Sequence, residues 1–224
     1  MTSASLEVFG VGTARTFRVH WMLQELGVAH TVHPLQSRSG ETQEAEFLAL
    51  NPRGKIPVLR HGDLVLAESA AIVGYLAEHF SGDERLIPPP ASRERALYDQ
   101  WAFWILTELD AHTLYVLRRH GDLANLYGEA PEALRAAREY FRRQVEVADA
   151  ELARGDGFLL GAHLTGVDVL LGSCLDWARF YGESLSETLE AYRLRLASRS
   201  GYQRAAKVNF PPEVLAALAA GQNA

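Results

Sequence analysis

The stretch NPRGKIPVL, Asn51 to Leu59, leads from a loop into a short apolar strand, yet Pro57 stands where that strand begins. Proline has no N–H to give to a ladder and is confined to strand starts, edges and bulges. Placed after Gly54 and the β-branched Ile56, it suits a cis bond, which before proline costs only about 0.5–1 kcal/mol. A cis Ile56–Pro57 bond would turn the N–H and C=O of Ile56 out of the ladder, where a peptide-like ligand can pair with them as an added strand does. The alternative is a trans proline that simply starts an edge strand, the commoner arrangement for X–Pro bonds in general.

On either side of this stretch, strand-like and helix-like segments alternate. Leu6–Phe9 is a short apolar strand signal, punctuated by Gly10 and Gly12. Thr16 to Leu26 carries Val19, Leu23 and Leu26 at helical spacing and stops at Gly27. His30–Leu35 is a second strand candidate, and Glu44–Leu50 a short helix. Val58–His61 and Leu64–Ala67 flank the tight turn signal His61-Gly62-Asp63, and Ser69–Phe80 closes the series as a helix. The order βαβ, linking helix, ββα predicts a small α/β sandwich with one parallel pair and an antiparallel hairpin at the edge.

SGDERLIPPPAS, residues 81–92, breaks the pattern, since consecutive prolines favour a stiff connector over a helix. The boundary falls there: residues 1–80 form the first domain, 81–91 a linker, and 92–224 an all-helical second domain. Helices are predicted over Arg93–Arg119, Pro131–Arg154, Val167–Tyr181, Leu185–Arg199 and Pro212–Ala220. One start is especially clear. Thr165 and Asp168 have the spacing of an acidic capping box, with Leu164 and Val169 placed as a hydrophobic staple. The apolar run that follows, LLGSCLDWARF, predicts a buried central helix.

The 224 residues are 48% hydrophobic and 22% charged, an ordinary composition for a globular protein. The net charge of −6 argues against a general nucleic-acid surface. No window reaches the roughly 18 apolar residues of a membrane span, and no signal peptide is read at the N-terminus, so a cytoplasmic location is expected. The single cysteine, Cys174, excludes an intramolecular disulfide and a CxxC pair and reads as packing in the central helix. The eight histidines show no tight metal-ligand spacing, so no metal is expected. Tyr98, Trp101, Phe103, Trp104 and Tyr115 cluster early in the helical half, some as core and a few as candidates to line an apolar pocket.

At Ala67-Glu68-Ser69-Ala70 a strand passes into a helix. Ser69 is a natural N-cap, and the helix N-terminus offers free N–H groups to a carboxylate. Glu68 stands beside it to pair an ammonium. Together they present both partners of an α-amino acid, although a plain cap and a solvated charge would also explain them.

The ordered combination NPRGKIPVL, LAESAAIVGYL and LTGVDVLL resembles the cytosolic glutathione transferases over essentially the whole chain. Each motif is weak alone; their order and spacing are specific. Val167 departs from the alanine usual in the third. The resemblance implies a thioredoxin-like first domain, an all-helical second domain and glutathione as co-substrate. It places the Ile56 backbone, held by Pro57, against the cysteinyl part of glutathione. Glu68 and Ser69 fall at the γ-glutamyl end, with Lys55 toward the glycine carboxylate. It also implies a homodimer built through Arg60–Leu66, Ala70–Tyr75 and Ala91–Phe103.

A free thiol has a pKa of about 8.5, so the protein must stabilise the thiolate that does the chemistry. The segment between first strand and first helix lacks tyrosine and cysteine. Its spacing Thr13-x-x-Thr16-x-Arg18-Val19 is similar to the serine-using theta and phi classes, with Thr13 in the serine's place. Arg15 is the rival, because a guanidinium would stabilise the anion by charge. Thr13 or Thr16 as a simple helix cap is the plain alternative. The activity this implies is attack of the thiolate on an apolar electrophile or a peroxide. The other readings are a non-catalytic binding module and a glutathione-dependent isomerase or dehalogenase.

Overall fold

Leu6–Val11 forms β1 in the computed structural model, which describes residues 5–82, 85–155, 157–212 and 214–215. Thr31–Gln36 (β2) runs parallel to it, while Val58–His61 (β3) and Leu64–Ala67 (β4) form the antiparallel hairpin, in the order β2-β1-β3-β4. Helices α1 (Ala14–Leu26), α2 (Ala45–Leu50) and α3 (Ser69–Phe80) complete the thioredoxin-like arrangement. The alternation read in the sequence thus yields the expected mixed sheet, with Val8, Val19, Val58 and Ile72 wholly buried in its core.

The remaining elements are helical: α4 (Arg93–Trp104), a π-helical segment (Ile105–Leu114), α5 (Tyr115–His120), α6 (Ala124–Tyr127), α7 (Pro131–Leu152), α8 (Gly166–Phe180), α9 (Glu187–Ala197) and α10 (Ser200–Asn209). The continuous helix expected over Arg93–Arg119 is interrupted by the wider π turns, whose i→i+5 bonds leave the apolar pattern nearly unchanged. The tail helix expected over Pro212–Ala220 lies largely outside the described residues.

The chain divides into two compact units, residues 1–86 with 197–223, and residues 87–196. The expected division runs the helical domain over 92–224 and includes no helix over 200–209, where α10 lies. Helix α10 belongs with the first unit because it packs along α1. Tyr202 meets Phe17 and Trp21 edge-on, both at 5.0 Å between ring centroids. Arg199 forks onto the Glu25 carboxylate at 3.0 and 2.9 Å. A Cβ at Gly201 would lie 2.6 Å from that same carboxylate, which would have to shift to make room for it.

In the second unit, Asp168 anchors α8 as the sequence predicts. Its Oδ2 accepts the Thr165 N–H at 2.7 Å and hydroxyl at 2.9 Å. Its Oδ1 accepts the Leu159 N–H at 2.9 Å and the Tyr192 hydroxyl at 2.8 Å. Burial pushes the Asp168 carboxyl upward, and these four donors pull it back toward the ionised form. Cys174 is wholly buried in α8. Of the aromatic cluster, Tyr98 and Trp101 are core, whereas Phe103 is 72% exposed.

Candidate functional site

Sheet register gathers the site residues at one end of the first unit. Phe9 pairs with Val58, and Val58 pairs with Ala67. The end of β1 with the residues that follow it, and the residues just before β3 and just after β4, therefore meet at the same end of the sheet. These are Gly10–Thr13, Lys55–Pro57 and Glu68–Ser69. Separations that look large in sequence become neighbours through two antiparallel ladders.

The Asn51–Pro57 loop is built around the Asn51 side chain. Its Nδ2 donates to the Lys55 carbonyl at 2.7 Å, and its Oδ1 accepts the Arg53 N–H at 3.3 Å. Gly54 takes φ +59 to make the turn, donating its N–H to the Asn51 carbonyl at 2.9 Å. The Ile56–Pro57 bond is cis. Among the described residues, the Ile56 amide and carbonyl pair with no other backbone group, since the ladder begins at Val58. Ile56 itself leans on β1: a Cβ at Gly10, which has φ +116, would sit 2.5 Å from the Ile56 Cβ. Lys55 points from this loop as an exposed residue.

At the end of β4, Glu68 adopts φ +72 and ψ 115, a left-handed conformation rare for a side-chain-bearing residue and costing about 1–3 kcal/mol. Ser69 is not the N-cap that the sequence suggests. Glu68 occupies that position without a side-chain cap bond, and Ser69 is the first residue of α3. The Ser69 hydroxyl instead accepts a hydrogen bond from Arg18, 3.2 Å away. Arg18 is 0% exposed, so a buried guanidinium lies beneath the α3 N-terminus. The sequence motif contained Arg18, but nothing in its spacing pointed to Ser69. Glu68 is exposed, and its carboxylate already holds Arg53 at 2.7 Å; with both side chains over 60% exposed, that pair is worth no more than about 1 kcal/mol.

Thr13 caps α1. Its Oγ1 accepts the Thr16 N–H at 3.0 Å while Thr16 Oγ1 accepts the Thr13 N–H at 3.0 Å, a reciprocal capping box. The cap leaves Thr13 half-exposed beside the helix N-terminus, with Arg15 half-buried in the first turn. The Thr16 hydroxyl has one proton and three oxygen neighbours: Asn209 Oδ1 at 2.7 Å, the Thr13 carbonyl at 2.9 Å and Thr13 Oγ1 at 3.0 Å. Directed to the nearest, it leaves Thr13 Oγ1 as the donor of its own contact with Thr16. Behind the loop, the His20 Nε2–H donates to the Gly10 carbonyl at 3.0 Å. Burial pushes this imidazole down to about 4, so the ring is neutral, and its Nδ1 has no partner among the described residues.

The glutathione S-transferase N-terminal domain family matches residues 4–78, and the glutathione S-transferase C-terminal domain family matches residues 131–207. Glutathione S-transferase 3 of Zea mays is 31% identical over 173 residues, covering 74% of each chain. The chain belongs to the glutathione S-transferase family. Shorter stretches match other relatives. The glutathione S-transferase-like protein tpcF of Aspergillus fumigatus is 37% identical over 101 residues, so the alignment spans 44% of this chain and 44% of that relative. Among solved structures, the theta-class transferase of Xanthomonas axonopodis pv. citri, with glutathione bound, is 28% identical. It superposes with a TM-score of 0.75 over 90% of this chain and 97% of its own.

A half-exposed hydroxyl at one helix start, an unpaired backbone edge and a strained acidic residue at another thus lie at one end of the sheet. Sequence reasoning missed Asn51, Arg18 and Asn209 as residues that hold this edge together. Asn51 had a visible signal, an asparagine opening a Gly-containing turn. Asn209 had none, because its helix was not read.

Proposed function

We propose that the protein binds glutathione at this edge of the first unit and activates its thiol for attack on a small apolar electrophile or a peroxide. The observation that carries the reading is the meeting of three segments, each suited to a different part of the tripeptide. The free Ile56 amide and carbonyl, beside Pro57, suit the cysteinyl backbone. Glu68 and the α3 N-terminus at Ser69 suit the ammonium and carboxylate of the γ-glutamyl end, with the Glu68–Arg53 pair opening to admit the ammonium. Lys55 extends toward the glycine carboxylate. Thr13 is placed to donate its hydroxyl to the sulfur, with Arg15 as the competing source of thiolate stabilisation. The glutathione bound in the Xanthomonas relative supports the ligand.

The assembly proposed is a two-fold homodimer, consistent with the exposure of Leu64, Val65, Leu97 and Phe103, which all fall in the segments expected to form it. A cytoplasmic location accompanies this reading; among the described residues, no helix is long and apolar enough to cross a membrane. The test is retention on immobilised glutathione, followed by assays with a chloronitrobenzene and with a hydroperoxide. Retention with turnover of either substrate supports the reading. Failure to be retained rejects it, and retention without turnover favours a binding module or a glutathione-dependent isomerase or dehalogenase.

A further inference from the structure

Asn209, the last residue of α10, spends both its side chain and its backbone on the loop that precedes α1. Its carbonyl accepts the Gly12 N–H at 2.8 Å. Its Oδ1 accepts the Thr16 hydroxyl at 2.7 Å, and its Nδ2 donates to the Thr13 carbonyl at 3.1 Å. The side-chain bonds close over sequence separations of 193 and 196 residues, and Asn209 is 2% exposed. Packing alone would be served by an apolar residue. A buried carboxamide costs stability unless its polar atoms find partners, and here oxygen and nitrogen both find them on one loop.

We propose that Asn209 is a positioning residue for thiol activation, holding Thr13 in place without touching glutathione. The inference rests on the assignment of Thr13 proposed above. By drawing the Thr16 proton away, Asn209 Oδ1 keeps the Thr16 oxygen an acceptor for the Thr13 N–H, 3.0 Å away, so the residue stays fixed when its hydroxyl turns to sulfur. By donating to the Thr13 carbonyl, Nδ2 fixes the peptide from which that hydroxyl projects. Without the side chain, only the Gly12–Asn209 backbone bond remains, and the Thr16 hydroxyl turns back toward Thr13. A hydrogen bond to sulfur is directional, so a loosened donor gives up much of its effect on the thiolate.

The experiment titrates the thiolate absorbance of bound glutathione and measures kcat and KM across pH for wild type, Asn209→Ala, Thr13→Ala and the double variant. Asn209→Ala is expected to raise the bound thiol pKa by roughly one unit toward its free value and to lower kcat about tenfold at neutral pH. KM for glutathione should stay within about twofold, and the deficit should vanish above the free thiol pKa. In the Thr13→Ala background the same substitution should change neither quantity, because its effect passes through Thr13. An unchanged thiol pKa in Asn209→Ala overturns the proposal while leaving Thr13 in place if Thr13→Ala does shift it. An equal shift in the Thr13→Ala background also overturns it. A wild-type protein that leaves the thiol at its free pKa removes the parent assignment and this one together. If Asn209→Ala does not fold, Thr16→Val cuts the same chain near-isosterically and must give the same background-dependent shift.

Discussion

Replacing Thr13 with alanine tests the proposed chemistry most directly, and the local geometry sets the size of the effect. With the Thr16 proton on Asn209, the Thr13 hydroxyl is the donor of its 3.0 Å contact with Thr16 Oγ1. Turning it toward a thiolate therefore exchanges a neutral hydrogen bond, worth about 0.5–1.5 kcal/mol, for one to an anion, worth about 1.5–3 kcal/mol. The net gain is on the order of 1–1.5 kcal/mol, which corresponds to about one pKa unit of thiol acidification. Thr13→Ala should thus lower turnover roughly tenfold at neutral pH, where the thiolate fraction limits the rate. Since the unassisted thiol ionises as pH passes about 8.5, the deficit should shrink above that value. The substitution also removes the α1 cap, so a loss of about 1 kcal/mol in unfolding stability should accompany it. The two effects separate in Thr13→Ser, which keeps both hydroxyl and cap and should be mild in each. The assay is conjugation of a chloronitrobenzene against pH, alongside titration of the bound thiol and urea unfolding. A pH-independent loss, or an unchanged bound-thiol pKa, would refute the reasoning. If Arg15→Ala abolishes activity while Thr13→Ala only destabilises, the guanidinium carries the charge stabilisation and Thr13 is a cap.

Glu68→Ala and Glu68→Gly should both weaken glutathione binding, measured by calorimetry, but the glycine variant should be the more stable by about 1 kcal/mol because it relieves the positive φ. Equal stabilities would show that the backbone there is unstrained. For His20, the unfolded chain binds a proton near pH 6.5 and the folded chain only near about 4, as burial disfavours the imidazolium. Stability is therefore fully present above the unfolded value and falls as pH drops through that window, by on the order of 3 kcal/mol. Urea unfolding at stepped pH should show this slope, and His20→Gln should flatten it; a slope unchanged in the variant would assign the acid sensitivity elsewhere. Asp168→Ala should strand the Leu159, Thr165 and Tyr192 donors and cost about 3 kcal/mol or more. Unfolding of Asp168→Ala within about 1 kcal/mol of wild type would mean that water replaces the carboxylate.

The fold was legible where its signals were local. Alternation gave the strands, glycines the turns, and Thr165 with Asp168 the start of α8. The site edge was legible because Pro57 and the Glu68–Ser69 pair are chemically unusual for a strand start and a helix start. The missing parts are non-local. The buried face of α10 is built largely from small residues such as Gly201, Ala205 and Ala206, whose role depends on close approach to α1 rather than on hydrophobic spacing. Arg18 reads as a surface charge until the fold buries it under Ser69. Likewise the Arg53 partner of Glu68 follows from the Asn51 turn, which bends the loop toward the end of β4. The π segment after Trp104 keeps enough helical periodicity to be invisible in a pattern of apolar residues.

The return of α10 to the first unit also bears on how the protein is made. During synthesis the strands and first three helices are complete once Phe80 has been added, but Asn209 and its three bonds to Gly12, Thr13 and Thr16 are not. At about 5–20 residues per second, on the order of ten seconds separates the two events. Through that interval the α1 face that receives Tyr202 and Arg199 has no covering helix, and every residue of the helical unit is added before the cover arrives. A message truncated anywhere before codon 209 would yield a chain with Thr13, Ile56 and Glu68 all present and the loop carrying Thr13 still unfastened.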